Sequence, residues 1–285
     1  MASDRLIALK HNILPKRLLT FLAGLFANTR LSWIKNYFIH SFIKRFEVNM
    51  KEALIEEPTQ YATFNDFFVR HLKPGIRTTA ASDIVCPVDG SVSALGKIDR
   101  GTLVQAKGRT YTVSELLAIP EQDCLPFLQG TYTTLYLSPK DYHRIHMPCP
   151  AKLQRMVHIP GALFSVQPET TRVIPKLFAR NERLVVFFET EKGRMVMVLV
   201  GATIVGAIGT TWHGDLRRSF SEQVYTYSGE DLLEKVEEMG YFKLGSTVIL
   251  LFDEQSAVAW DASLSIGSSV KMGQALGAYK QPRLN

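Results

Sequence analysis

The sequence predicts an α+β protein in which a mainly β body, built of barrel-sandwich-like sheets, follows an amphipathic helical segment at the N-terminus. Large apolar residues recur at helical spacing within residues 5–50. From residue 83 onward the chain changes to short β-rich runs divided by glycine and proline. Hydrophobic residues make up 46% of the 285 and charged residues 21%, which favours a packed core over disorder.

The N-terminal segment combines helical periodicity with positive charge. Apolar residues three or four apart form the series Leu18/Leu22/Leu25 and Ile34/Phe38/Phe42. Residues 1–50 hold eight lysines and arginines and two acids, whereas the other 235 residues hold 25 of each. This pattern predicts helices that lie on an anionic membrane surface. Helices that only pack on the body are the alternative, and nucleic-acid binding is not expected because no recognised motif accompanies the charge.

No membrane-spanning helix or secretory signal is expected. The longest uncharged apolar run near the N-terminus, residues 18–27, is about half of the roughly 20 residues that a spanning helix needs. The basic N-terminus lacks a long apolar core followed by a small-residue cleavage site. Three cysteines give no disulfide framework, and a reducing compartment fits them best.

The change from a helical to a β-rich residue pattern divides the chain into residues 1–79 and 80–285. Residues 51–79 read as a polar, partly helical connector that contains TFNDFFVRHLKPGIR. The body supplies the strand candidates, which are VCPVDGSVSAL, TLVQAKG, TYTTLYL, RLVVFFET, RMVMVLVGATIVGAI and STVILLF. We predict that residues 1–79 form the membrane-association segment and its connector, and that residues 80–285 form the body.

Three local features could carry chemistry, and each is ambiguous alone. Gly245-Ser246 opens a strongly apolar strand, although a glycine there commonly marks only a turn or bulge. LSPKDYHRIHMPCP holds His143 and His146, which could act as general bases, bind a metal together with Cys149, or be structural. Asp89 in CPVDG could orient a histidine, although an aspartate before glycine is usually a turn residue.

Together these motifs resemble the phosphatidylserine decarboxylase family over nearly the whole chain. The resemblance implies self-cleavage between Gly245 and Ser246 of the LGST motif. It assigns the self-cleavage triad to Asp89, His146 and Ser246, and the decarboxylation step to His143. It further implies a covalent pyruvoyl group derived from Ser246, no metal, phosphatidylserine as substrate, a homodimer of αβ units, and a peripheral position on the cytoplasmic face of the bacterial membrane.

The implied chemistry explains why these residue types are needed. His146, held by Asp89, would remove the Ser246 proton so that Oγ attacks the Gly245 carbonyl. Elimination from the resulting ester would leave a β chain of residues 1–245 and an α chain of residues 246–285 that begins with the pyruvoyl group. That group would act as an electron sink and convert phosphatidylserine into phosphatidylethanolamine without an external organic cofactor.

Two rival functions remain. An ordinary serine hydrolase is disfavoured because no GxSxG motif occurs in the chain. A carrier module of the lipoyl or biotinyl type is suggested by CPVDGSVSAL and SVKMGQALGAY, which resemble the two halves of such a barrel sandwich. Carriers need a lysine at an exposed hairpin tip between the halves, and the sequence offers none in that context.

Overall fold

A computed structural model describes residues 24–106, 108–202, 207–216, 219–243 and 246–280. The helices are α1 (Ser32–Phe46), α2 (Phe64–Phe68), α3 (Val113–Leu117), α4 (Pro168–Val173) and α5 (Leu177–Arg180), with 3-10 turns at Met50–Glu52, Pro58–Gln60 and Glu121–Phe127. The strands are β1 (Ile84–Val85), β2 (Gly90–Lys97), β3 (Thr102–Ala106), β4 (Arg109–Thr112), β5 (Thr131–Leu137), β6 (Arg144–His146), β7 (Ala151–Ile159), β8 (Arg183–Thr190), β9 (Gly193–Val200), β10 (Ala207–Thr210), β11 (Gly214–Asp215), β12 (Gln223–Thr226), β13 (Leu232–Leu233), β14 (Glu238–Lys243), β15 (Ser246–Phe252), β16 (Val258–Trp260), β17 (Ser269–Val270) and β18 (Ala275–Tyr279).

Helix α1 confirms the helix that the Ile34/Phe38/Phe42 spacing predicts. Its packing face includes Ile39 and Phe42, which join an apolar cluster with Phe64, Phe67 and Phe68. It ends at Glu47, whose backbone adopts the left-handed conformation, and basic residues in its last turn suit the negative end of the helix dipole. The predicted series that begins at Leu18 lies mostly outside the described residues. Among the helices that the structure describes, none is long and apolar enough to cross a membrane.

The body is built mainly of antiparallel sheets, which confirms the predicted α+β, mainly β class. The largest sheet has the order β12-β7-β8-β9-β15-β5-β2-β17, with β13 also paired to β7. Smaller sheets have the orders β11-β10-β14-β6 and β1-β18-β16, and β3 pairs with β4. The two segments that suggested a barrel sandwich do pair, because β17 lies along β2 and the Cys86 backbone bonds Gly273 and Gln274. Strand β18 lies along β1, which directly precedes the first segment.

Strand β15 lies inside the largest sheet and is buried on both faces. Val248 and Leu250 face one apolar cluster, whereas Ile249 and Leu251 face another. This alternation explains the unbroken apolar run of the strand, because a strand covered on both faces has no solvent side for polar residues. The strand that begins at Ser246 is therefore held firmly in the centre of the body.

The N-terminal part packs in its own apolar cluster, formed by residues between Ala27 and Phe68. Contacts nevertheless join it to the body on the far side of residue 79. The Phe68 ring lies 4.1 Å from the His143 ring, centroid to centroid, and Arg77 binds Asp89. The boundary between residues 79 and 80 stays a prediction.

Candidate active site

Ser246 is the first residue of β15, and its side chain is fully buried. The strand pairs on one side with β5, where Ser246 lies opposite Leu137, and on the other side with β9. The Ser246 hydroxyl has no hydrogen-bond partner among the described residues. Such an unpaired buried hydroxyl is costly for a serine that only fills space. Gly245 lies outside the described residues, so only the serine side of the predicted cleavage bond is described.

Strand register brings the start of β2 and the start of β15 to the same end of the sheet. Tyr136 of β5 lies opposite Ser91 on one side and opposite Thr247 on the other. A Cβ atom at Gly90 would lie 2.3 Å from the Tyr136 carbonyl oxygen, so only glycine permits this approach. Two inter-strand spacings, about 10 Å, separate the backbones of β2 and β15. Asp89, the residue before Gly90, therefore lies at the same end of the sheet as Ser246.

His143 is fully buried in the loop between β5 and β6. Its Nδ1 lies 2.8 Å from the Asp141 carbonyl oxygen, which can only accept a hydrogen bond, so the proton of the neutral ring is on Nδ1. Nε2 has no partner among the described residues and keeps a free lone pair. Burial lowers the pKa of His143 to about 3, and the charge of Arg70 adds to this effect. His143 is thus a neutral base with an open acceptor.

His146, at the end of β6, is held differently. Its Nδ1 lies 2.8 Å from the Val236 carbonyl oxygen and its Nε2 lies 3.0 Å from the Tyr142 hydroxyl. The carbonyl again requires the proton on Nδ1, so Tyr142 donates to Nε2. Burial lowers the pKa of His146 below its usual value. Its base position is therefore covered by a hydroxyl donor, whereas that of His143 is free.

Asp89 is buried, and two cationic side chains bind its carboxylate. Arg77 donates to both carboxylate oxygens, at 3.0 and 2.5 Å, Lys271 donates from 3.1 Å, and the backbone N–H of Met272 donates from 2.9 Å. Burial alone would raise the pKa of Asp89, but these hydrogen bonds and charges outweigh it, so the pKa is lowered. Asp89 is therefore an ionised carboxylate.

Comparison with known proteins accounts for this combination of a serine at a strand start, two histidines three residues apart and a buried aspartate. A family model described as phosphatidylserine decarboxylase matches residues 64–278, and a second, described as PSD, matches residues 6–47. The chain belongs to the phosphatidylserine decarboxylase family. The resemblance seen in its motifs is thereby confirmed.

Relatives named phosphatidylserine decarboxylase proenzyme match along almost their whole length. The protein from Legionella pneumophila strain Philadelphia 1 is 56% identical over 278 residues, which is 96% of this chain and 98% of the relative. The Chromobacterium violaceum protein is 49% identical over 280 residues, covering 97% and 100%. The Idiomarina loihiensis protein is 45% identical over 287 residues, covering 98% of each.

One contact expected of a serine-hydrolase-like triad is missing from this member of the phosphatidylserine decarboxylase family. His146 was expected to be held by Asp89, but its ring bonds Val236 and Tyr142 instead. The reason is that Arg77 and Lys271 occupy the Asp89 carboxylate. Asp89 still acts through space, because its charge raises the pKa of both histidines against the effect of burial. The catalytic assignments of Asp89, His146, Ser246 and His143 stay predictions.

The metal alternative, with His143, His146 and Cys149 as ligands, is not assembled in the described residues. Each histidine directs Nδ1 at a carbonyl, and the Cys149 sulfur contacts the sulfur of Met195 and the hydroxyl of Tyr279. No group of three histidine, cysteine or acidic side chains in the described ranges could hold a metal ion.

Sequence reasoning missed several residues that surround the site in this family member. Tyr142 lies between the histidines in DYHRIH, and its position there was the available signal. Phe68 and Arg70 belong to TFNDFFVRHLKPGIR, a segment for which the sequence predicted a connector and no site residue. Nothing local marks Lys271, which is 182 positions from the aspartate that it binds.

Replacing Asp89 with asparagine should remove a pH-dependent part of the stability. Because the folded-state pKa of Asp89 is lowered, its carboxylate stabilises the fold above the ordinary aspartate pKa of about 4. This contribution disappears as the pH falls through the folded-state pKa. In the Ser246→Ala background, we expect Asp89→Asn to lower the free energy of urea unfolding by about 3 kcal/mol at neutral pH. The loss should shrink at acid pH.

The control for this measurement is Asp99→Asn, because the Asp99 side chain is 81% exposed. An exposed ion pair contributes little, so Asp99→Asn should follow the reference chain at every pH. If Asp89→Asn and Asp99→Asn have the same pH dependence, the buried ion pair does not stabilise the fold in this way.

Proposed function

We propose that the chain is a phosphatidylserine decarboxylase proenzyme that cleaves itself between Gly245 and Ser246. Ser246 then becomes a pyruvoyl group, and the mature enzyme converts phosphatidylserine into phosphatidylethanolamine. The observation that carries this proposal is the buried hydroxyl of Ser246, which has no partner among the described residues and starts a central strand. A structural serine gains nothing from that arrangement, whereas a nucleophile needs its hydroxyl uncommitted.

The proposed cleavage uses only groups of this chain and water. Oγ of Ser246 attacks the Gly245 carbonyl carbon, and its proton passes to Nε2 of His146. The C–N bond between Gly245 and Ser246 then breaks, the freed amine of Ser246 takes that proton from His146, and the amide has become an ester. Elimination removes the Cα proton of residue 246 to a base, breaks the Cβ–Oγ bond, releases the Gly245 carboxylate and leaves dehydroalanine. Water hydrolyses its imine tautomer to ammonia and the pyruvoyl carbonyl. For His146 to act, the Tyr142 hydroxyl either leaves Nε2 or passes the Ser246 proton to it.

The residues around position 246 fit a pyruvoyl group because its precursor hydroxyl is already buried and unpaired. When formed, the group supplies the electron sink that decarboxylation requires. Burial between β5 and β9 keeps bulk water from the site. Nε2 of His143 is an open acceptor that can hold the proton destined for the carbon that loses the carboxylate. The low pKa of His143 means that this ring returns a proton readily.

The direct test compares the wild-type chain with Ser246→Ala by chain length and by release of carbon dioxide from phosphatidylserine. A carrier module would remain a single chain and release none. A serine hydrolase would cut other substrates without losing its own continuity.

The proposed site of action is an anionic membrane surface, reached through the N-terminal segment. Several apolar side chains in α1 and just before it are mostly exposed. They are Leu25, Phe26, Leu31, Trp33 and Tyr37. Arg30 directly precedes Leu31, and Lys44 and Arg45 lie in the last turn of α1. Exposed aromatic rings flanked by cations are typical of segments that lie in a membrane interface.

Removing two exposed rings should weaken this membrane contact. The exposures of Trp33 and Tyr37 are 76% and 70%, so Trp33→Ser/Tyr37→Ser should disturb the fold little. We expect at least about tenfold weaker binding to liposomes containing phosphatidylserine, because apolar area no longer enters the interface. Salt should weaken binding of the full chain by screening. The control is Ile266→Ser, a residue 71% exposed on the body.

Liposome sedimentation measures this effect. The membrane proposal fails if the double variant and the control bind equally, or if a chain lacking residues 1–50 binds as well as the full chain. Salt-insensitive binding would instead indicate purely apolar insertion.

We extend the proposal to the cytoplasmic face of the bacterial membrane, where the enzyme would be peripheral. Cys86, Cys124 and Cys149 are all buried and unpaired, which supports a reducing compartment. The homodimer of αβ units stays a prediction that rests on the family resemblance.

A further inference from the structure

The segment that follows α2 carries an arginine in an unusual environment. Arg70 is only 4% exposed, yet no carboxylate forms an ion pair with it among the described residues. Its Nη2 donates to two backbone carbonyls, that of Lys140 at 2.9 Å and that of Asp141 at 3.3 Å. Its Nε and Nη1 have no partner in the described part of the chain.

This arrangement is costly for a residue that only links two segments. A buried guanidinium that lacks a carboxylate loses its hydration without recovering the energy in an ion pair. Burial accordingly lowers the pKa of Arg70. A neutral side chain of similar length could fill the same space at lower cost, so the positive charge at this place requires an explanation.

The explanation lies in the carbonyl that Arg70 contacts. The Asp141 carbonyl oxygen accepts from Arg70 and also from Nδ1 of His143. A carbonyl has two lone pairs, so it can hold both donors at once. Fixing this oxygen fixes which ring nitrogen of His143 carries the proton. The Phe68 ring, two residues before Arg70, also packs against the imidazole.

We propose that Arg70 is a positioning residue for His143, which holds the Asp141 carbonyl against Nδ1 and so leaves Nε2 as the open acceptor. The inference rests on the proposed decarboxylation and on the role proposed there for His143. It adds a residue from the N-terminal part of the chain to the machinery of the body.

The charged groups that act on the His143 ring favour this interpretation. Arg70 lowers the pKa of His143, and Asp89, which precedes β2, raises it. From its own loop the ring meets the Asp141 backbone carbonyl, and from β14 its main chain meets the neutral backbone N–H of Phe242. Arg70 is thus the cation that opposes Asp89 at this ring. Without it, protonated His143 would be favoured at higher pH.

The test measures the decarboxylation rate against pH in the mature enzyme. Arg70→Gln keeps a hydrogen-bond donor and removes the charge, whereas Arg70→Lys keeps the charge and loses the planar donor pair. We expect both variants to cleave themselves. Arg70→Gln should lower kcat at least about tenfold. The acid limb of its kcat profile should move to higher pH, while KM changes little. Arg70→Lys should recover part of kcat and keep the acid limb of the wild type.

Arg183→Met is the matched control, because Arg183 is similarly buried, at 3% exposed, and its Nε, Nη1 and Nη2 donate to backbone carbonyls, those of Leu116, Asn181 and Glu115. It should cost stability without moving the acid limb. Equal shifts in Arg70→Gln and Arg183→Met, or a wild-type profile in Arg70→Gln, would overturn the proposal. If Arg70→Gln does not fold, Arg70→Lys decides, and a wild-type kcat in that variant also overturns it.

The experiment separates this inference from the function on which it rests. If the wild-type chain neither cleaves nor releases carbon dioxide, the proposed function fails. If the wild type does both and the Arg70 variants match it, only the positioning role fails. Nitrogen NMR of His143 in uncleaved Ser246→Ala gives an independent reading. The ring should carry its proton on Nδ1, and adding Arg70→Gln should move its titration to higher pH.

Discussion

Ser246→Ala is expected to remain one chain of about 32 kDa and to release no carbon dioxide from phosphatidylserine. Removing Oγ removes the nucleophile of the proposed cleavage, and the methyl group of alanine cannot become a pyruvoyl carbonyl. The wild type should instead give a large chain and a fragment of residues 246–285. Intact-mass analysis should find the fragment blocked at its N-terminus.

The matched control for this variant is Ser91→Ala. Ser91 is the second residue of β2, two strands from β15 at the same end of the sheet, and lies opposite Tyr136. It should mature and turn over substrate as the wild type does. Cleavage of Ser246→Ala at the same bond would eliminate the proposed mechanism, and an intact wild-type chain that still decarboxylates phosphatidylserine would eliminate the pyruvoyl group.

The second large effect is expected from replacing His143 and His146 one at a time, because the two variants should fail at different steps. His146→Ala should block cleavage, because without a base the Ser246 hydroxyl is a poor nucleophile near neutral pH. His143→Ala should cleave at least partly but decarboxylate about 10²–10⁴-fold more slowly, since the ring with the open Nε2 would be gone. Gel electrophoresis and carbon dioxide release, measured on the same preparations, report the two steps separately.

His158→Ala supplies the control for loss of a buried histidine. His158 is 1% exposed and pairs with Glu182, and it lies in β7, in a different sheet from the β6 strand that ends at His146. It should mature and retain activity if stability permits. An uncleaved His143→Ala together with a normally matured His146→Ala would reverse the roles, and the open Nε2 of His143 would then be the base for cleavage. Wild-type behaviour of both variants would make the two histidines structural.

Local patterns in the sequence were sufficient for much of the architecture. The apolar run after Ser246 predicts a buried strand, and β15 is that strand. A strand that is covered on both faces needs apolar residues at every position, so its sequence alone is enough to predict it. The Ile34/Phe38/Phe42 spacing predicts α1 for a similar reason, since helical periodicity is read within a few turns. The placement of two histidines after β5 is equally local.

What the tertiary structure alone decided is which groups meet within the site. The family resemblance places Asp89 in one triad with His146, yet its carboxylate binds Arg77 and Lys271. The two histidines look alike in DYHRIH, but Tyr142 covers Nε2 of one and nothing described covers Nε2 of the other. These contacts depend on which elements, remote in sequence, the fold brings close together and buries. The periodicity or spacing of residues within one segment does not contain that information.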